Sequence, residues 1–179
     1  AGQSFRDFLA GRLPAFPGER PTINNWEDHL TTAFPEVRLK RFLEMRGADG
    51  GPWDQLCALP AFWVGLLYHQ PALDAAWDLA RDWTLEERLK LRHDVPRLGL
   101  NATVRGRSVR EMSLDLIEWS AEGLRQRNRL DASGVNETSF LEPLRQTAES
   151  GKTPAELTLE RFDTSWAGSV DPVFSEFAY

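Results

Sequence analysis

The chain contains 179 residues, of which 41% are hydrophobic and 27% are charged, a composition typical of one soluble domain or a large part of one. Its net charge of -6 gives no electrostatic support for nucleic-acid binding. No apolar run approaches the roughly 18 residues that suggest a membrane span. The only cysteine is Cys57, so an intrachain disulfide is excluded. With no signal peptide visible, we expect a reducing compartment and a cytoplasmic location.

The first part of the chain predicts two short helices separated by a loop. The first helix is expected over residues 4–10, and the second over 25–34, with Asn25 as its N-cap. Prolines and a glycine punctuate residues 14–21 between them, which favours an irregular connection.

Residues 37–46 change to an alternating pattern with a period of two. The apolar positions are Val37, Leu39, Leu43 and Met45. The charged positions are Arg38, Lys40, Glu44 and Arg46. This alternation predicts an antiparallel strand over about 37–46, with one charged and one apolar face, although Arg41 and Phe42 interrupt it. A lone strand cannot satisfy its backbone groups, so the prediction also requires strand partners.

The remainder of the chain predicts helices. Segments near 53–59, 60–69 and 72–82 are rich in Trp, Leu and Ala. Four capping-box patterns follow, in which a hydroxyl residue is followed three positions later by Glu. They begin at Thr84, Ser108, Ser139 and Thr153. We therefore expect an α+β chain in which helices predominate.

The charged face of the predicted strand allows two interpretations. Three cations and one carboxylate at a spacing of about 7 Å could hold phosphate oxygens and a magnesium ion, which are the requirements of phosphoryl transfer. The same pattern also describes a solvated outer surface. Glycines at 47, 50 and 51 could let a ligand approach the backbone, or form an ordinary turn.

Several stretches resemble the plant and alphaproteobacterial type of glutamate–cysteine ligase. The longest are FPEVRLKRFLEMRGADGGPW at 34–53 and LCALPAFWVGLLY at 56–68. Shorter ones are SFRDFL at 4–9, GRLP at 11–14, TPAE at 153–156 and GSVDPVF at 168–174. Together they cover nearly the whole chain in the family's order.

The resemblance implies a fold and a reaction. The fold would be a glutamine synthetase-like catalytic domain, of which residues 1–179 form the C-terminal portion. The reaction would use ATP and Mg²⁺ to phosphorylate the side-chain carboxylate of glutamate. The amine of cysteine would then displace phosphate to give γ-glutamylcysteine, the first intermediate of glutathione synthesis.

The resemblance also assigns residues. Distant members share a glutamate, an arginine two positions on and an aspartate soon after, which correspond here to Glu44, Arg46 and Asp49. Glu44 would be a magnesium ligand and Arg46 would contact the transferring phosphoryl group. Asp49 would be a second metal ligand or would organise the glycine turn.

Other assignments rest on position alone. Strand-face geometry adds Arg38 and Lys40 as ATP- or substrate-binding residues, and Trp53 is a candidate because it follows the glycine loop. The expected partners are the small-molecule substrates and an N-terminal part of the same polypeptide, without nucleic acid or membrane.

Two further hypotheses remain open at this point. The chain could belong to a γ-glutamyl ligase that uses another amine acceptor, or it could be a non-catalytic helical assembly module. In the ligase interpretation we expect the 179 residues to be inactive alone, since full-length members are more than twice as long and further metal carboxylates would lie N-terminal to the chain.

Overall fold

A computed structural model describes residues 3–48 and 50–178. The chain divides into two compact units, Ala1–Asp49 and Gly50–Tyr179. Helices predominate and two small antiparallel sheets accompany them, so the α+β prediction is confirmed. No helix in the described ranges is both long enough and apolar enough to cross a bilayer.

The first unit contains two helices and a hairpin. These are α1 (Phe5–Leu9), α2 (Ile23–Thr31), β1 (Val37–Leu39) and β2 (Leu43–Met45). The predicted cap of α2 is wrong, because Thr22 and not Asn25 occupies the N-cap. The hydroxyl of Thr22 accepts from the Asn25 backbone N–H, and Asn25 Oδ1 accepts from the Thr22 backbone N–H in return. Asn25 is therefore the third residue of the helix.

The predicted single strand is a two-stranded hairpin. β1 and β2 pair antiparallel, with Val37 opposite Met45, Arg38 opposite Glu44 and Leu39 opposite Leu43. The turn spans residues 40–42, where the alternation was interrupted. Directly opposite residues project from the same face of an antiparallel pair. The charged and apolar faces therefore survive, although the predicted continuous strand does not.

The second unit is mainly helical. Its helices are α3 (Trp53–Leu67), α4 (Gln70–Ala80), α5 (Leu85–Leu98), α6 (Val109–Arg127), α7 (Glu142–Ser150), α8 (Pro154–Asp163) and α9 (Val173–Glu176). Short 3₁₀ turns cover Gly99–Asn101 and Glu137–Leu141. The capping boxes at Thr84, Ser108 and Thr153 are confirmed. The box predicted at Ser139 is wrong, because Asn136 caps the preceding 3₁₀ turn and that turn runs directly into α7.

Helix α3 continues through Pro60, although the sequence predicted a break there. A proline inside a helix removes one backbone hydrogen bond. That cost is offset by packing, because α3 buries Ala58, Ala61, Gly65 and Leu66.

The core of the second unit forms where α3 crosses α6. A Cβ added to Gly65 would lie 2.2 Å from the Ser120 carbonyl oxygen, and one added to Gly123 would lie 2.0 Å from the Gly65 carbonyl oxygen. The Ser120 hydroxyl donates to the Phe62 carbonyl oxygen at 2.9 Å. The buried hydrophobic residues around this crossing are Ala61, Ile117, Ala121, Leu124, Leu141 and Ala148. Two helices with glycine at the contact can approach until their backbones touch.

A second hairpin, not predicted from the sequence, connects α5 to α6. It consists of β3 (Thr103–Val104) and β4 (Arg107–Ser108). Its turn residue Arg105 has a left-handed φ of 50°, which costs conformational energy in a residue with a Cβ. The side chain of Arg105 compensates by donating to Glu87 at 2.7 Å and to the Asp82 carbonyl oxygen at 2.6 Å. These contacts fasten the hairpin to the start of α5.

Candidate functional site

The charged face of the first hairpin contains a directly opposed ion pair. Arg38 Nε donates to Glu44 Oε2 at 2.6 Å, and both side chains are partly buried. The hydrogen bond from Arg38 holds the pKa of Glu44 below its ordinary value, and the charges of Arg38, Lys40 and Arg46 act in the same direction against the opposing effect of burial. Glu44 is therefore an anion at neutral pH, which a metal ligand requires.

Arg46 lies one residue beyond β2 and extends the hairpin register. Its backbone N–H donates to the Glu36 carbonyl oxygen at 2.8 Å. Its guanidinium carbon lies over the ring of Phe34, 5.5 Å from the ring centroid. Its Nη1 is buried and has no hydrogen-bond partner among the residues that the structure describes.

An unpaired buried guanidinium nitrogen is unusual, because arginine stays charged and its N–H groups lose their hydration on burial. Anionic oxygens form the strongest hydrogen bonds to this group. The environment of Arg46 therefore suits a phosphate or carboxylate that approaches Nη1.

Lys40 lies in the turn of the hairpin. Its backbone N–H donates to the Phe42 carbonyl oxygen at 2.9 Å, and the residue is exposed. Lys40 is close enough to Glu44 to lower the pKa of that carboxyl group. The structure thus brings Arg38, Lys40, Glu44 and Arg46 together on one hairpin, although only Arg38 and Glu44 lie within its strands.

The residues proposed as metal ligands fit a shared magnesium site in part. Glu44 supplies one ionised carboxylate, whereas Asp49 lies outside the described residues. No group of three His, Cys, Asp or Glu side chains able to hold a metal occurs in ranges 3–48 and 50–178. Mg²⁺ commonly takes one or two protein carboxylates and completes its shell with water and substrate phosphates. Glu44 suits that mode, and a metal there would compete with Arg38 for the carboxylate.

Trp53 is the first residue of α3 in the second unit and is 77% exposed. Its ring is accessible, and its nucleotide-binding role stays a prediction. A Cβ added to Gly47 or Gly50 would have no atom within 4 Å, and neither glycine has a left-handed φ. Within the described ranges, neither packing nor backbone conformation requires glycine at these two positions, which fits a loop that leaves room for a ligand.

Phe34 and Glu36 were missed by the sequence reasoning. They precede the alternating segment, so no periodicity marked them. Two signals were available: both residues lie in the stretch 34–53 that resembles the ligase family, and Pro35 disfavours helix in the residue before it. Neither signal assigns a role to the two side chains.

The charged groups of the hairpin define a class of site. Glu44 is an ionised carboxylate, and Arg46 Nη1 has no hydrogen-bond partner among the described residues. Two such groups suit a phosphoryl group and its metal ion. The positive charges of Arg38 and Lys40 would also stabilise a phosphoryl group bound there.

Comparison with known proteins identifies the family. The model of glutamate-cysteine ligase family 2 matches residues 6–176, and the chain belongs to this family of ligases. It is 53% identical to glutamate–cysteine ligase A of Oryza sativa subsp. indica over 178 residues. It is 52% identical to the glutamate–cysteine ligases of Solanum lycopersicum and of Arabidopsis thaliana, each over 178 residues. The predicted family is confirmed.

The alignments cover 99% of this chain but only 35% of the rice protein and 33% of the tomato and Arabidopsis proteins. The chain therefore spans about a third of the length of these relatives. All three relatives are named chloroplastic. The expectation of a cytoplasmic location is wrong by this comparison.

Proposed function

We propose that this chain is part of an ATP-dependent ligase that joins the γ-carboxylate of L-glutamate to the amine of L-cysteine. The product is γ-glutamylcysteine, and the reaction is the first step of glutathione biosynthesis. Membership of glutamate-cysteine ligase family 2 supports this proposal. In it, both units belong to one glutamine synthetase-like catalytic domain, and the rest of the polypeptide supplies further metal and glutamate ligands.

The proposed chemistry proceeds in two displacements. A γ-carboxylate oxygen of glutamate attacks the γ-phosphorus of ATP, and the bond to the ADP oxygen breaks. The cysteine amine then attacks the acyl carbon, phosphate leaves, and the nitrogen loses a proton. Phosphoryl transfer of this kind depends on positioning and on neutralising charge. The protein therefore needs oriented cations more than a nucleophile of its own.

Arg46 is the proposed catalytic residue. The observation that carries the proposal is its buried Nη1, which has no hydrogen-bond partner among the described residues. A phosphoryl oxygen at this position would accept a charge-assisted hydrogen bond. That bond would strengthen as negative charge moves onto the phosphoryl oxygens during transfer.

The other hairpin charges have supporting roles in this proposal. Glu44 would hold Mg²⁺, which supplies charge neutralisation to the ATP phosphates. Arg38 lowers the pKa of Glu44 through their 2.6 Å hydrogen bond and would become available to ATP when the metal takes that carboxylate. Lys40 adds an exposed point charge at the turn. Trp53 lies in the second unit with an exposed ring, and a nucleotide-binding role for it stays a prediction.

The test compares Arg46→Ala with Arg41→Ala in the full-length polypeptide. Arg41 is an exposed arginine in the turn of the same hairpin, so it controls for loss of one positive charge. ADP release and γ-glutamylcysteine formation are measured together, with glutamate and cysteine omitted in turn. We expect Arg46→Ala to reduce kcat at least about 100-fold, the size seen when a key charge-stabilising donor is removed, and Arg41→Ala to change it less than about twofold.

Two outcomes would contradict the proposal. A loss below about threefold in Arg46→Ala would favour a non-catalytic assembly module. ADP release that responds to glutamate but is coupled to another amine in preference to cysteine would assign a different acceptor.

The 179-residue chain alone is proposed to be inactive, since it spans about a third of its relatives' length. Substantial γ-glutamylcysteine formation by the isolated chain would refute this part.

A further inference from the structure

We propose that Phe34 is a positioning residue for Arg46 and holds the guanidinium by its ring face without occupying any of its N–H donors. This inference rests on the proposed function, because it assigns Phe34 a part in the same phosphoryl-binding site. No periodicity, charge pattern or metal-ligand pattern in the sequence assigns a role to Phe34.

The geometry around Arg46 motivates the assignment. The guanidinium carbon lies 5.5 Å from the centroid of the Phe34 ring, within the roughly 6 Å range of a cation–π attraction. The Phe34 residue is 71% exposed, so burial of its own surface does not explain its position. The ring is the partner of Arg46 in a region where Nη1 has no hydrogen bond to a described residue.

Arg38 shows the contrasting arrangement on the same hairpin. Its Nε–H donates to Glu44 Oε2 at 2.6 Å, so a ligand that needs this donor must displace a carboxylate. A benzene ring attracts a cation through its quadrupole and has no carboxylate oxygen to take an N–H. Arg46 is therefore held by a group that occupies none of its N–H donors, and Nη1, which has no hydrogen bond to a described residue, can donate to a phosphoryl oxygen.

The backbone fixes Phe34 at the open end of the hairpin. Pro35 restricts the conformation of Phe34 to extended backbone. The next residue, Glu36, accepts the backbone N–H of Arg46 through its carbonyl oxygen at 2.8 Å. The ring and the guanidinium thus start from adjacent chain segments whose separation is set by that hydrogen bond.

The first experiment substitutes Phe34 in the full-length polypeptide and measures kcat and the KM values for ATP, glutamate and cysteine. Phe34→Leu keeps an apolar side chain but removes the ring, and we expect kcat to fall about two- to fivefold, as an exposed cation–π contact predicts. Phe34→Tyr and Phe34→Trp keep a ring and are expected to stay within about twofold of the unsubstituted protein. Phe42→Leu is the matched control, because Phe42 is an exposed phenylalanine in the turn of the same hairpin.

Two further measurements separate positioning from a merely structural role. Mono-, di- and trifluorophenylalanine at position 34 weaken the ring quadrupole with little change in shape, so log kcat should fall stepwise with the number of fluorines. In an Arg46→Ala background, Phe34→Leu should cause no further loss, because the residue acts through Arg46.

The inference would be overturned by a flat fluorine series, by equal effects of Phe34→Leu and Phe42→Leu, or by a Phe34→Leu loss that persists without Arg46. Failure of the proposed function is distinguishable from these results. In that case the unsubstituted protein itself would release no ADP in response to glutamate.

Discussion

Gly123→Ala tests the close approach of α3 and α6 in the second unit. The new methyl carbon would start 2.0 Å from the Gly65 carbonyl oxygen, so it must move roughly 1.4 Å to reach an ordinary contact of 3.4 Å. The Gly65 carbonyl is helix backbone and the position of the new Cβ is fixed by its own backbone, so neither group can rotate away as a longer side chain would. The displacement must therefore separate the helices around Ala61, Ile117 and Ala121, which are buried in the core.

The size of the effect follows from two opposing contributions. Overpacking of a core costs about 1–3 kcal/mol, and a clash between a Cβ and a backbone carbonyl should lie at the upper end. Replacing glycine by alanine inside a helix returns up to about 1 kcal/mol. The net loss is about 2 kcal/mol, which lowers Tm by about 4–8 °C in a chain of this size.

The assay is thermal unfolding followed by circular dichroism at fixed scan rate. Gly50→Ala is the control, because Gly50 has nothing within 4 Å of an added Cβ and no left-handed φ. It should leave stability within about 0.5 kcal/mol. An unchanged or raised Tm in Gly123→Ala would refute the close helix crossing. Equal shifts in both variants would mean that the crossing has no special role.

The lowered pKa values of Glu44 and Glu87 predict how the stability of the chain changes at low pH. The folded pKa of Glu44 is depressed by Arg38, so the stabilisation from this pair is present above the ordinary value of 4.5 and is lost as pH falls through the folded pKa. In a carboxyl-carbon NMR titration, Arg38→Gln should raise the Glu44 midpoint, and an unmoved midpoint would contradict the ion pair. The pKa of Glu87 is lowered to about 2, first by the hydrogen bond from Arg105 and then by the cap at Thr84. Its contribution is therefore lost between about pH 4.5 and 2. Glu87→Gln should lower stability at pH 7 and flatten the acid-unfolding curve in that window, whereas a curve of unchanged shape would count against the Arg105 contact.

Local patterns in the sequence predicted much of the secondary structure. Capping boxes at Thr84, Ser108 and Thr153 form as expected, because each involves only four consecutive residues and their own backbone groups. Ser139 matches the same pattern but is not a cap, because the side chain of Asn136 caps the 3₁₀ turn Glu137–Leu141 that contains it. A capping-box pattern therefore identifies a possible helix start, but a neighbouring residue can cap the chain instead.

The hairpin shows the limit of periodicity as a signal. Alternation correctly separated the charged from the apolar face, because directly opposed residues in two paired strands share a face just as alternate residues in one strand do. The alternation could not distinguish one strand of ten residues from two strands of three residues each. The interruption at Arg41 and Phe42 was the turn itself. The strand partner that β1 requires is therefore β2, the next segment of the same alternating stretch.

Residue identity and short-range spacing were enough to predict the family, the prevalence of helix and the charged set at Arg38, Lys40, Glu44 and Arg46. How those charges are paired became visible only in the folded chain. Register placed Arg38 against Glu44 and left Arg46 beside Phe34 with a buried Nη1 that has no partner among the described residues. Hydrogen-bond partners depend on which side chains folding brings within about 3 Å of each other. Arg38 and Glu44 are six residues apart and Phe34 and Arg46 twelve, so no local pattern specifies either pairing.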